Sequence, residues 1–377
     1  MRIAVNTRLL LKDRLEGIGW FTYETFSRIV RAHPEHEFFF LFDRKFDEQF
    51  VFSDNVTPEV AGPQARHPVL FYLWFEHTLP RILNKIGADL FVSPDAFASL
   101  RTKCKTLMVI HDLNFEHYPQ HLPWLVRKYY RYYTPRFAGK VNRIATVSEY
   151  SKRDISTQYG ISPEKIDVVY NGASPLFQPV SEETRNKVKA KYTGGANYFV
   201  FISAISPRKN LDNQLKAFDR FKSGDTRNTK LLVVGEEMWG ANTLQKTFEQ
   251  LRFRDDVIFA GRLGQEELAR VIASALALTY VSFFEGFGIP IIEAFNAGTP
   301  VITSNVTSMP EVAGDAALIV DPHQVEGIAA AMKTLAEDPE KREELIRKGT
   351  ARGREFSWDR TADKLWQSIE KTYESNQ

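Results

Sequence analysis

"ALTYVSFFEGFGIPIIEAFNAGTPVITS", residues 277–304, reads as a strand, a tight turn, a short helix and a second strand. The apolar run Ala277–Phe284 suits a buried strand, and the glycines of Glu285-Gly286-Phe287-Gly288 suit a strand-to-helix turn. Pro290 falls where a first-turn proline loses no hydrogen bond, Gly298 ends the helix, and "PVITS" opens the next strand. Strand, crossover helix and strand make the unit of a parallel sheet. Two carboxylates, Glu285 and Glu293, bracket the turn, the second expected in the first turn of the helix.

Outward from this stretch the same alternation recurs twice. The first half carries strand-like runs at "RIAVN", "EFFFLF", "DLFVS", "KTLMVIHD", "RIATVS" and "KIDVVYNG", with helical periods over 20–32 and 122–137. The second half repeats the pattern with "YFVFISA", "KLLVVG", "DVIFAG", "ALALTYV", "PVITS" and "AALIV". Proline, glycine and charge replace the apolar runs over 176–196, which reads as a linker between a first domain of 1–175 and a second of 197–356. In the tail, 357–377, Trp358, Ala362, Leu365, Trp366 and Ile369 recur at three- to four-residue spacing, an amphipathic helix expected to pack back on the first domain. The fold class is therefore α/β, with two doubly wound Rossmann-like domains facing across a cleft. Ligands of such sheets bind at the carboxyl ends of the strands.

The bulk composition agrees with that fold and excludes several functions. At 377 residues with 43% hydrophobic and 25% charged residues, the chain has the make-up of a globular protein large enough for two cores. A net charge of +2 is too weak for a nucleic-acid footprint, so no nucleic-acid partner is expected. The single cysteine, Cys104, allows no intramolecular disulfide, the N-terminus does not read as a cleavable signal, and no apolar run reaches the roughly 20 residues that span a bilayer. A cytoplasmic location is expected, in solution or at the inner face of the membrane.

Several residues at expected strand ends carry chemistry. The backbone N–H groups of Phe287, Gly288 and Ile289, at a helix N-terminus, suit an anion or a hydroxylated group, and an ionised carboxylate such as Glu293 can accept both hydroxyls of a ribose diol. Arg208 and Lys209 follow the first strand of the second domain and precede a helix expected near Asn210, where two cations suit a diphosphate. In the first domain His111 and Asp112 end a strand, and Gly17 and Gly19 at a strand-to-helix connection would let a backbone approach a ligand closely. "HDLNFEHYPQH" places His111, His117 and His121 near one another, but Pro119 interrupts the helical spacing and argues against a metal site. "WLVRKYYRYYTPRFAGK", residues 124–140, interleaves five cations with four tyrosines: either a surface for an anionic headgroup or acceptor, or an aromatic core face with snorkelling cations.

Taken together, "FFEGFGIPIIEAFNAGTPVITSNVTSMPEVAGDAALIVDP", "VIHD", "TVSEYSKRDI", "SPRKNL" and "VVGEEMWG" resemble the retaining glycosyltransferase family 4, enzymes of GT-B fold with a Glu-x7-Glu motif. "VIHDLNFEHYP" with "SPRKNL" is most similar to its bacterial mannosyltransferase-like members. The resemblance implies that Glu293 holds the nucleotide ribose, and that Glu285 with the Phe287-Gly288-Ile289 backbone holds donor-sugar hydroxyls. It puts Arg208 and Lys209 on the diphosphate, His111 beside the reacting sugar, Gly17 and Gly19 opposite the phosphates, and Leu263 near the base. Many members have an arginine six residues before the phosphate lysine; here Ser203 stands in its place and Arg208 compensates.

The implied activity is metal-independent transfer of a hexosyl unit, mannosyl first, from GDP-mannose or another nucleoside diphosphate sugar to a glycan or lipid-linked acceptor hydroxyl, with anomeric retention. No cofactor is implied, and peripheral membrane contact is an expected partner relation. A nucleotide-sugar epimerase or a non-catalytic nucleotide-sugar binding subunit would use the same clamp. A nicotinamide dehydrogenase is disfavoured, because neither half shows the full glycine fingerprint.

Overall fold

Runs of Phe, Val, Ile and Leu that must be buried on both faces can only lie inside covered parallel sheets, and two such sheets form. The computed structural model describes residues 1–12, 14–236 and 241–375. The chain divides into one unit of Met1–Asn171 together with the chain from Trp358 onward, and another of Gly172–Ser357. The last four residues of "VVGEEMWG", 237–240, lie outside the described residues.

The first unit holds β1 (Arg2–Asn6), β2 (Glu37–Phe42), β3 (Val56–Val60), β4 (Leu90–Ser93), β5 (Lys105–Ile110), β6 (Arg143–Thr146) and β7 (Ile166–Val168). Their order is β3-β2-β1-β4-β5-β6-β7, all parallel, with Ile3 beside both Phe38 and Leu90. Strand β3, "VTPEV", is absent from the reading by pattern for a physical reason: it is an edge strand, half exposed, and its Pro58 can occupy only an edge. Trp74, Phe75, Phe91 and Phe97 form part of the core on one face. Against the sheet and the helix Gly17–Ala32 packs the tail helix, Trp358–Glu374, which buries Trp358, Leu365, Trp366 and Ile369. Trp366 stacks on His33 at 3.6 Å, and Asp359 accepts from Arg28 at 2.6 Å.

The second unit holds β8 (Tyr198–Ile202), β9 (Lys230–Val234), β10 (Val257–Gly261), β11 (Ala277–Tyr280), β12 (Val301–Ser304) and β13 (Leu318–Val320), in the order β10-β9-β8-β11-β12-β13. Phe199, Phe201, Phe218, Phe221 and Met332 lie in its core. The stretch 176–196, expected as a linker with one charged helical segment, holds the helix Glu182–Thr193, capped by Ser181 and packed on the helix Gln265–Ser274, within this unit. Its high charge reflects one solvated face rather than a flexible tether.

In each sheet the winding direction reverses once, between β1 and β4 and between β8 and β11. The loops that leave adjacent strands at such a point diverge to opposite faces and open a crevice at the carboxyl ends. In the second unit those loops are 203–210 and 281–288, which carry Arg208, Lys209 and Glu285.

Candidate active site

At the crevice of the second unit a buried carboxylate is tied to two cations. After β8 the chain makes one 3-10 turn, Pro207–Lys209, then passes through Asn210 at φ 58 into the helix Leu211–Lys222. Asn210 donates from Nδ2 to the carbonyls of Val281 and Pro322, at 2.9 and 2.8 Å, and so pins this turn to the loop after β11. Across it, Glu285 Oε1 accepts from Lys209 Nζ at 2.6 Å and Oε2 from Arg208 Nη1 at 3.0 Å. Arg208 Nη1 also reaches the Phe284 carbonyl at 3.0 Å, and Lys209 Nζ lies 2.9 Å from the Tyr280 hydroxyl. Burial alone would raise the Glu285 carboxyl, but the Lys209 and Arg208 charges overcome it and bring it down to about 2. Glu285 is therefore ionised at any physiological pH. Tyr280, fully enclosed at the end of β11, is pushed well above its ordinary value by burial and by the Glu285 charge, so it stays a neutral phenol.

The turn that follows is held from behind. Ser308 Oγ donates to the carbonyls of Glu285 and Phe287 at 2.9 and 3.0 Å, and the Glu285 N–H donates to Thr307 Oγ1 at 3.3 Å. Gly288 sits at φ 106, a conformation that L side chains rarely adopt, and leads into the helix Ile289–Asn296 with Pro290 in its first turn. Phe287 is buried against Phe356, ring centroids 5.6 Å apart. Glu293 is the fifth residue of this helix, one position past the first turn in which it was expected, because the helix already begins at Ile289. Macrodipole stabilisation falls off within the first turn. Among the described residues the Glu293 carboxyl has no hydrogen bond or ion pair, and burial raises it to about 8.

Ser203 follows β8 directly and donates its N–H to the Val234 carbonyl at 3.0 Å. Its own carbonyl occupies the place where a side chain on Gly235 would begin, at 1.8 Å from an added Cβ, and Gly235 lies at φ 145. Leu263 is half-buried in the loop between β10 and the helix Gln265–Ser274.

In the first unit His111 follows β5 directly. Its Nε2–H donates to the Pro94 carbonyl at 2.9 Å, and its ring meets Phe21 edge-on at 4.9 Å. Burial lowers its pKa, opposed by that hydrogen bond, so the neutral ring keeps Nδ1 as its acceptor. Asp112 accepts from the Asn114 N–H at 2.9 Å and caps the next turn. Gly17 opens the helix Gly17–Ala32 with empty space where a side chain would be; at Gly19 that space is filled by the Leu9 carbonyl, 2.8 Å from an added Cβ. The close approach at Gly19 is thus to the protein's own backbone. The other imidazoles of "HDLNFEHYPQH" go elsewhere: His117 Nε2 meets the Asp154 carboxylate at 2.9 Å, and His121 stacks on Tyr118.

The structure joins Arg208, Lys209 and Glu285 directly, and in the same unit it sets Glu293, Phe287 and Gly288 on the turn and helix beyond them. Pattern reading missed Tyr280, Asn210, Thr307 and Ser308, which position the cluster. Tyr280 ends a strand whose burial hides its hydroxyl's role, and the hydroxyls of "NVTSMP" give no periodic signal.

Two family models match the chain: Glycosyltransferase Family 4 over residues 15–175, and Glycosyl transferases group 1 over residues 182–352. The O-antigen chain mannosyltransferase B of Escherichia coli is 26% identical over 360 residues, 93% of this chain and 94% of the relative. The MMP alpha-(1->4)-mannosyltransferase of Mycolicibacterium hassiacum is 32% identical over 245 residues, 63% of this chain and 56% of the relative. Among solved structures, sucrose-phosphate synthase from Thermosynechococcus elongatus superposes with a TM-score of 0.79 at 18% identity, covering 99% of each chain. Anabaena Alr3699/HepE in complex with UDP and glucose gives 0.76 at 16% identity, covering 98% of this chain and all of that one. With its two parallel-sheet α/β units in the GT-B fold, this chain belongs to the family 4, group 1 glycosyltransferases.

Proposed function

We propose that the protein transfers a hexosyl unit, mannosyl in the first instance, from a nucleoside diphosphate sugar to an acceptor hydroxyl in polysaccharide or glycolipid synthesis. The observation that carries this reading is the Glu285–Lys209–Arg208 cluster at the switch point of the second sheet. Two cations held in place by one buried carboxylate keep a net positive charge. That is the charge a departing diphosphate needs, already oriented before the reaction. The mannosyltransferase relatives support the sugar, and a neighbour solved with UDP and glucose supports a nucleotide-sugar donor.

In this reading Arg208 and Lys209 bind the diphosphate. Glu285 fixes both cations and offers its remaining lone pairs, of about four on a carboxylate, to sugar hydroxyls along with the Phe287-Gly288-Ile289 backbone. Glu293 takes the ribose diol, and Leu263 flanks the base. His111, neutral with Nδ1 as acceptor, acts in the transfer step itself. Retention through a glycosyl-enzyme would need a free carboxylate nucleophile. Glu285 is paired on both oxygens, which argues against that role. Same-face attack then follows: the acceptor oxygen bonds to the anomeric carbon, the bond to the diphosphate breaks, and the acceptor proton passes to the departing phosphate oxygen. Positive charge from the protein makes a metal unnecessary in this scheme.

The test is turnover of GDP-mannose and UDP sugars with a panel of glycan acceptors. The reading expects α-linked product from an α-linked donor, unchanged by EDTA. An inverted product, loss of activity in EDTA, or conversion of the donor without an acceptor would each contradict it.

A further inference from the structure

At the switch point of the first sheet lies a group of buried polar side chains that the transfer reading does not use. Strands β1 and β4 pair in parallel and end on Asn6 and Ser93, and the loops beyond them carry Arg8 and Asp95. All four residues are buried, and the Arg8 and Asp95 side chains are each only 4% exposed. Asp95 Oδ2 accepts from Arg8 Nη2, while Oδ1 accepts from Asn6 Nδ2 at 2.7 Å and from Ser93 Oγ at 3.0 Å. Arg8 also donates from Nη1 to the Ala65 carbonyl at 3.1 Å and from Nε to Asn6 Oδ1 at 3.3 Å. Its guanidinium packs on Phe75 and Phe97, 4.9 and 5.2 Å from the ring centroids. Desolvating such a pair costs about as much as its attraction returns, and apolar residues of the same volume often stabilise a core as well or better. Stability alone is thus a poor reason for the pair, and its use lies in what it fixes.

What it fixes is the turn after β4. Pro94 stands between Ser93 and Asp95, whose side chains are hydrogen-bonded to each other, so the Pro94 carbonyl has little freedom. Ala96 is held at φ 62, a left-handed conformation that residues other than glycine seldom adopt, and donates its N–H to the Val109 carbonyl at 2.9 Å. The turn is therefore clamped on both sides of Asp95. The Pro94 carbonyl is the acceptor for His111 Nε2–H at 2.9 Å, and Ser151 Oγ donates to the His111 main-chain carbonyl at 3.3 Å. An imidazole fixed through one ring nitrogen presents the other in a set place and protonation state.

We propose that Arg8 and Asp95 are positioning residues for the transfer: their ion pair anchors the turn after β4, so that the Pro94 carbonyl holds the His111 ring by Nε2 and leaves Nδ1 as its acceptor. The inference rests on the reading of His111 as a participant in the transfer step. Its test is steady-state kinetics of the full chain, with the donor and acceptor selected by the panel above, for Asp95→Asn, for Arg8→Met combined with Asp95→Asn, and for His111→Ala. The paired variant removes both charges together and leaves neither buried alone, so it keeps the test open if Asp95→Asn unfolds. Both Asp95 variants are expected to lower kcat by about 10–100-fold, the cost of a reacting group displaced by about 1 Å. The donor KM should stay the same, because Arg208, Lys209 and Glu285 belong to the other unit. On a His111→Ala background the same substitutions should lower kcat by less than about twofold, since their effect passes through the missing ring. The low-field NMR signal of His111 Nε2–H, identified by its absence from His111→Ala, should shift or be lost to solvent exchange in both variants. A pair that serves stability alone would lower kcat by the same factor with and without His111, or leave the signal in place, and either result overturns the proposal. Wild-type kcat in the folded paired variant overturns it too. Wild-type turnover by His111→Ala is a separate failure, which removes the His111 reading and this inference with it.

Discussion

At the residue scale, the transfer reading depends on a few atoms. Replacing Lys209 by Gln removes a charge placed for the leaving diphosphate and one of the two ion pairs that hold Glu285. A donor lost from such a preorganised site costs about 10²–10³ in kcat. Steady-state kinetics of Lys209→Gln and Arg208→Gln should show that loss, and near-wild-type turnover by either would remove the diphosphate assignment. Glu293 behaves in the opposite way to Glu285. Its carboxyl is raised to about 8, so near neutral pH it is largely protonated in the free protein. Ribose hydroxyls donate to the ionised form, so nucleotide binding should expel a proton. Calorimetry in buffers of different ionisation enthalpy would detect the release, and Glu293→Gln should abolish it while raising the donor KM. Arg208 and Lys209 were legible as a basic pair at a strand end. Their partner was not: Lys209 and Glu285 are 76 residues apart, and no local pattern encodes a contact across two strands.

At the scale of elements, the turns rather than the helices fix the geometry. Alternation of apolar runs located the strands, because burial on both faces leaves no other composition; only the half-polar edge strand β3 escaped it. Glu293 lies one residue beyond the expected first turn, since the chain becomes helical at Ile289, directly after Gly288 at φ 106. The glycine after β9 is a stronger constraint. A methyl group on Gly235 would lie 1.8 Å from the Ser203 carbonyl at a φ of 145, so the loop that leads to Arg208 and Lys209 would have to shift. Gly235→Ala is expected to destabilise the protein by at least about 2 kcal/mol and to lower donor affinity together with it. Urea unfolding and donor binding measured on the same preparation would verify this. A stable variant with normal affinity would show that the loop tolerates displacement.

For the whole molecule, the two glutamates of the motif pull stability in opposite directions with pH. The Glu285 carboxyl, lowered from 4.5 to about 2, contributes stability that is complete above pH 4.5 and is lost as the pH falls toward 2. The Glu293 carboxyl, raised from 4.5 to about 8, favours the folded state below 4.5, and that advantage declines as the pH rises toward 8. From these two groups, stability should peak near pH 5 and fall on both sides. Because Glu293 is half-buried, Glu293→Gln should recover about 1–2 kcal/mol at pH 8, seen as a higher Tm than wild type at pH 8 and little change at pH 4.

The claim on which the account rests is that Arg208 and Lys209 hold the diphosphate of a nucleotide sugar. Thermal unfolding in the presence of GDP, UDP, GDP-mannose and UDP-glucose, on wild type and Lys209→Gln, tests it directly. Ligand at about 100 times Kd stabilises by about 2.7 kcal/mol. The account predicts a rise in Tm of several degrees with at least one of these nucleotides for wild type, and little or none for Lys209→Gln. An equal rise in both proteins, or none in wild type with any nucleotide, would contradict it.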